Sequence, residues 1–194
     1  MAVEVEAWPD AAAIDTGLTT ALFGTDNTVS TVPSYSVDDV DGMLTEFEHL
    51  FVGPGPVPCP PYESYWRTDV PPYLRHSLMG PCIPDLLRLY RLLGVDLDPD
   101  AGEMPDHAAV EFEAVAFALS IANGGVEDDV DEDESTGLVN AAIDVTNELL
   151  INHMAVWLPN LCKAVADEAK HPFYQGLASV TMDWFMQLHR IVTA

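Results

Sequence analysis

The sequence predicts an all-α protein, a single-domain helical bundle over residues 1–194, and three observations carry that expectation. Apolar residues recur at helical spacing in five separate stretches. Strand-like alternation is scarce, and clusters of proline and glycine fall between the stretches. A length of 194 residues suits one domain with a sizeable core, and a hydrophobic content of 48% argues against disorder.

Taken in order, Val40, Leu44, Phe47 and Phe51 stand at i, i+4, i+7 and i+11 and mark a first helix. Gly53 to Pro61 follows, with two Gly and five Pro in nine positions. Proline fixes φ and removes a backbone donor, so this segment is neither helix nor central strand but a stiff, extended, polyproline-like loop. Val70 to Pro72, with Pro81 and Pro84, punctuates a second connection. Leu86, Leu89, Tyr90 and Leu93 then form a shorter stripe ended by Gly94. Residues 94–105 lead to a stripe of Ala108, Phe112, Val115 and Leu119, closed by Asn123-Gly124-Gly125 with C-cap chemistry. Residues 127–134 hold seven carboxylates in eight positions, which repel and stay solvated, the later ones favouring the next helix N-terminus through the dipole. Leu138, Ala142, Val145 and Leu149 give the next stripe. Pro159 is expected to separate a helix ending near Leu158 from one starting near Asn160, and Phe173, Leu177, Val180 and Trp184 mark the last helix. Every stripe reads as a core face, and Trp157 and Trp184 as core aromatics.

The formal charge is -25, from 32 acidic against 7 basic residues. Phosphate backbones and anionic bilayers need the opposite sign, so nucleic acid and a membrane surface are excluded as partners. Two readings of the acid remain: an acidic face for a cationic partner, and the solvation strategy of an extreme halophile. The even spread of acid and the presence of only two Lys, Lys163 and Lys170, favour the second. No apolar run reaches the roughly 18 residues that span a bilayer, and the acidic start lacks a basic signal-peptide region, so a cytoplasmic location without stable membrane insertion is expected. Cys59, Cys82 and Cys162 form no C-x-x-C and are odd in number, which gives no disulfide or zinc framework and suits a reducing compartment. Cys59 reads as a small packed residue, with a reactive thiol as the alternative.

The loop is an informative segment in its own right. It runs out of an apolar helix end, Phe47-Glu48-His49-Leu50-Phe51, and into Tyr62-Glu63-Ser64-Tyr65-Trp66. A stiff loop with aromatics at both ends and one carboxylate suits the presentation of a fixed surface. Phe47, Leu50-Phe51, the Gly53–Pro61 spacer, Glu63-Ser64 and the aromatic Tyr65 resemble, in order and spacing over about twenty residues, the signature of the TorD-type chaperones, the cytoplasmic maturation factors of molybdenum-dependent reductases. Trp66 stands where that pattern usually has Tyr. Glu103-Met104-Pro105-Asp106-His107 resembles the second motif of the family, and His171-Pro172-Phe173-Tyr174-Gln175-Gly176 a weaker entry to its last helix. The first forty residues match poorly.

The resemblance implies the TorD-like helical fold, no catalysis and no cofactor. It implies two acts: binding the twin-arginine leader of a precursor of the dimethyl sulfoxide, trimethylamine N-oxide or nitrate reductase type, and holding the apoenzyme until its cofactor is inserted. Phe47, Leu50, Phe51, Pro61, Tyr62 and Trp66 would bury the apolar part of the leader. Glu63 and Asp106 would accept guanidinium hydrogen bonds, with Ser64 and His107 beside them. The protein would act as a monomer or homodimer. Residue chemistry alone offers a plainer account, in which Asp106 caps the helix that follows and His107 is a partly exposed polar residue. The competing class is a halophilic helical adaptor or regulatory module without leader specificity. A metal-dependent hydrolase built on His107 and Glu111 is weaker: there is no H-E-x-x-H, no G-x-S-x-G around Ser64 and no phosphate-binding glycine loop, so no metal is expected.

Overall fold

The stripes form helices. A computed structural model describes residues 39–97, 102, 104–123 and 132–193 of the chain, without the side chains of 132–134. Glu103, Gly124, Gly125, most of the acidic run and the N-terminal segment lie outside the described residues. The helices are α1 (Val40–Phe47), α2 (Glu63–Trp66), α3 (Ile83–Leu92), α4 (Ala108–Ala122), α5 (Glu132–Glu148), α6 (Ala155–Glu168) and α7 (Pro172–Val192). The described residues contain no strand, and the fold is all-α. None of their helices is long and apolar enough to cross a membrane.

The boundaries follow local chemistry. Gly94, at φ 73°, accepts the left-handed turn just after α3, and its N–H reaches back to the Arg91 carbonyl. Asn123 caps α4 and donates through Nδ2 to the Leu119 carbonyl. His171 caps α7 through Nδ1, which accepts the Phe173 N–H, with Pro172 in the first turn where a missing donor costs nothing. α4 packs along α5, α6 along α7, α2 against α6 and α3 against α5. Trp157, Phe185, Tyr90, Leu149, Leu158 and Met154 are buried at the centre.

Three expectations need correction. Pro159 does not divide two helices; it lies inside α6. The residues before α6, Leu149–Met154, form a π turn, so α5 and α6 run on through a widened turn. Secondly, the first stripe is not a core face: Val40, Leu44 and Phe47 are exposed, and α1 continues into a second π turn, Glu48–Val52, that buries Leu50 instead. Thirdly, the stripes on two helices are off the buried face: of the α4 row only Val115 is fully buried, beside Val110, Glu111 and Ala118, with Ala108, Phe112 and Leu119 partly buried, and α7 buries Tyr174, Ala178, Phe185 and Leu188 in place of Phe173, Leu177, Val180 and Trp184. Helix α4 is apolar nearly all round, so periodicity alone does not select its inner face.

Candidate functional site

The two motifs are stitched together by backbone. Ala108 N–H donates to the Pro61 carbonyl at 2.8 Å and Glu63 N–H to the Asp106 carbonyl at 2.9 Å, which pairs Tyr62 with His107 as a single antiparallel bridge. The Tyr62 and His107 rings meet edge to face at 5.1 Å. Prolines on one side and a helix start on the other leave only these few backbone groups to pair. The contact is therefore local, and it holds the end of the loop against the head of α4.

Behind that bridge lies a buried polar layer. Asp106 was expected to cap α4 or to meet a ligand, but it is fully buried, and His107 is the cap, its Nδ1 accepting the Ala109 N–H at 3.1 Å. Asp106 Oδ2 accepts both the Ser64 N–H, at 3.1 Å, and the Ser64 hydroxyl. Ser64 Oγ in turn accepts the Gly80 N–H at 2.7 Å. Gly80 is needed for this approach, because a Cβ there would stand 2.8 Å from Ser64 Oγ and 3.3 Å from its Cα. Asp106 Oδ1 has no hydrogen-bond partner among the described residues. Ser64 is thus a structural joint, not a nucleophile poised for attack.

Glu63 is also fully buried, and its carboxylate pairs with Arg67 one turn on and with His153 Nδ1 at 3.0 Å. His153 Nε2 stands 3.2 Å from Asp85 Oδ2. Arg67 reaches on to Asp69, whose carboxyl is held below its usual range by that bond. Glu111 accepts the Trp157 indole N–H at 3.1 Å through Oε2, while its Oε1 has no donor among the described residues. Burial first, and the nearby Glu63 carboxylate second, push the Glu111 carboxyl well up, which favours its protonated form. Arg67, Asp85 and His153 were not singled out in the sequence, Trp157 was read only as a core aromatic, and Glu111 was weighed only as a metal ligand. Their one sequence signal is that Glu111 interrupts an apolar helix.

On the other side of the bridge an apolar groove of about 630 Å³ opens to solvent. Phe47, Phe51, Pro61, Tyr62 and His107, all among the residues singled out in the sequence, line it. Phe112 of α4, Leu158, Leu161, Cys162 and Val165 of α6, and Leu177, Ala178 and Thr181 of α7 complete it. Leu50, Glu63, Ser64 and Asp106 are interior residues behind the groove. Trp66 is half-buried against the core, outside the groove lining, with its indole N–H on the Pro60 carbonyl at 2.6 Å. Burial pushes the Cys162 thiol up to about 11, so it lines the groove as a protonated, apolar group. No three His, Cys, Asp or Glu among the described residues are placed to hold a metal ion.

A loop end and a helix head joined over a buried carboxylate layer, beside an open apolar groove, place both motifs in one structural unit. The sequence model of the nitrate reductase delta subunit family matches residues 11–163. The chain belongs to that family. This TorD-like grouping is the one its motifs resemble. Among curated proteins it is similar to the Tat proofreading chaperone DmsD of Salmonella typhi, 26% identical over 142 residues that span 72% of this chain and 57% of that protein. It is also similar to the chlorate reductase assembly chaperone protein of Ideonella dechloratans, 33% identical over 78 residues, 40% of this chain and 37% of that one. The chain thus covers less than two thirds of the length of either relative.

Proposed function

We propose that this protein is a non-catalytic cytoplasmic chaperone that matures a molybdenum-dependent reductase and captures the precursor's twin-arginine leader, the apolar part of the leader lying in the groove. The observation that carries the reading is the groove itself: an open apolar channel, in a chain of charge -25, walled by the residues of both family motifs. A large open apolar surface is kept in a soluble protein for something that covers it. The names of the two relatives, one a Tat proofreading and one a reductase assembly chaperone, support the choice of occupant. A leader joins an arginine pair to an apolar stretch. Glu63 and Asp106 are already paired inside, so the arginines fall on exposed carboxylates such as Glu48, beside Phe47 and Val52 at the groove's end.

Burying roughly 300 Å² of apolar surface at about 25 cal/mol per Å² gains about 7 kcal/mol gross. Ordering a disordered leader takes back about 2–5 kcal/mol, so apolar burial alone leaves about 2–5 kcal/mol, roughly millimolar affinity, to which the arginine hydrogen bonds add. Calorimetric titration of a synthetic leader in molar salt tests the reading. Binding should weaken when the Arg pair becomes a Lys pair, because the planar fork is lost. Equal binding of the two peptides would instead mark a generic helical adaptor.

A further inference from the structure

We propose that His153 is a positioning residue for the groove, its imidazolium latching the Tyr62–Trp66 segment to the bundle so that peptide capture weakens when the ring loses a proton; the proposal rests on the groove being the capture site. Three elements meet at this ring. His153 comes from the π turn between α5 and α6, Glu63 opens α2, and Asp85 sits in the first turn of α3. The ring is buried, with Nδ1 3.0 and 3.1 Å from the two Glu63 oxygens and Nε2 3.2 Å from Asp85 Oδ2. Carboxylates accept, so both nitrogens are satisfied only when each carries a hydrogen; a neutral ring turns a bare lone pair on one of them. The π turn is what aims the ring inward, and such turns recur at functional sites.

The consequence reaches the groove through α2. Glu63 is flanked by Tyr62, a groove wall, and is three residues before Trp66, whose indole holds Pro60. The other groups around the ring are Arg67 and Asp69 from the α2 side, Asp85 with its partner Arg88 and Cys82 from α3, and Glu148 and Asn152 from its own stretch. Glu111 of α4 is the further buried carboxyl that senses the Glu63 and Asp106 charges. Arg67 stays on Glu63 when the ring is neutral, so the rim shifts and the bundle persists. Burial pulls the imidazole down, but the Glu63 and Asp85 carboxylates outweigh it and hold it above its ordinary value. The latch is therefore complete below about pH 6.5, the ordinary histidine value, and is released as pH rises through the folded value.

Histidine ¹⁵N spectra of the free protein, read with the Trp66 indole N–H signal, test the latch without any ligand. The His153 ring should be doubly protonated at pH 6, and the Trp66 signal should move with the His153 midpoint. A synthetic Arg-Arg leader peptide should bind at least tenfold more weakly above that midpoint, in wild type and in a Glu111→Gln background that removes the other raised buried group. His153→Gln should bind weakly and without pH dependence. A neutral ring at pH 6, or a Trp66 signal indifferent to the midpoint, overturns the latch. So does binding that is equal on both sides of the midpoint yet abolished by Leu177→Asp in the groove. Full binding by Leu177→Asp would instead remove the groove reading, and the Trp66 midpoint would still decide whether His153 positions the rim.

Discussion

Glu63 finds neighbours that a surface carboxylate would not: Arg67, His153 and the raised carboxyl of Glu111. Folding favours the protonated form of Glu111, so its stabilisation is full below the ordinary carboxyl value of about 4.3 and is lost as pH rises through the folded one. Glu111→Gln has the shape of the protonated acid, still accepts the Trp157 N–H and does not titrate. Its melting temperature should gain on wild type as pH goes from 5 to 8, by about 2–4 °C for each kcal/mol relieved. Parallel melting curves would show that Glu111 is not the titrating acid. Asp106→Asn tests the neighbouring carboxylate. The amide places a donor where Oδ1 has no partner, or turns it toward Ser64, whose N–H and hydroxyl both need an acceptor. A loss of about 1–3 kcal/mol in denaturant unfolding is expected. An unchanged midpoint would mean that Asp106 holds nothing.

At the scale of elements, the tightest approach of the second connection to the bundle is Gly80 on Ser64. Gly80→Ala drives a methyl into the Ser64 backbone as well as its hydroxyl, and should destabilise by about 1–3 kcal/mol, as overpacking does. Wild-type stability would show that residues 70–80 give way freely. Helices α3, α4 and α7 were legible in the sequence because each pairs a periodic stripe with a boundary residue, Gly94, Asn123 or Pro172. The two π turns were not legible. Glu48–Val52 and Leu149–Met154 continue helical patterning without a break, and only tertiary demand, burying Leu50 in one and His153 in the other, selects the wider turn. The site was half legible. Phe47, Phe51, Pro61, Tyr62 and His107 do line the groove, but no pattern in residues 62–66 says that Tyr62 faces out while Glu63 and Ser64 face in. The α6 and α7 walls were hidden because their apolar residues read as ordinary core.

For the whole molecule, a charge of -25 opposes compaction, and salt screens it over about 3 Å at 1 M. Melting temperature and helicity should therefore rise between about 0.05 and 3 M KCl. A flat salt response would remove the halophile reading of the acid. The central claim is that the leader's apolar stretch lies in the groove between the loop end, α4, α6 and α7. A spin label placed in that stretch of a synthetic Arg-Arg leader, with methyl-labelled protein in molar salt, tests it most directly. Leu161, Val165 and Leu177 should lose signal while the distant core residues Leu86 and Val145 keep theirs. Quenching centred on exposed Leu78 and Met79, with the groove methyls intact, would contradict the account.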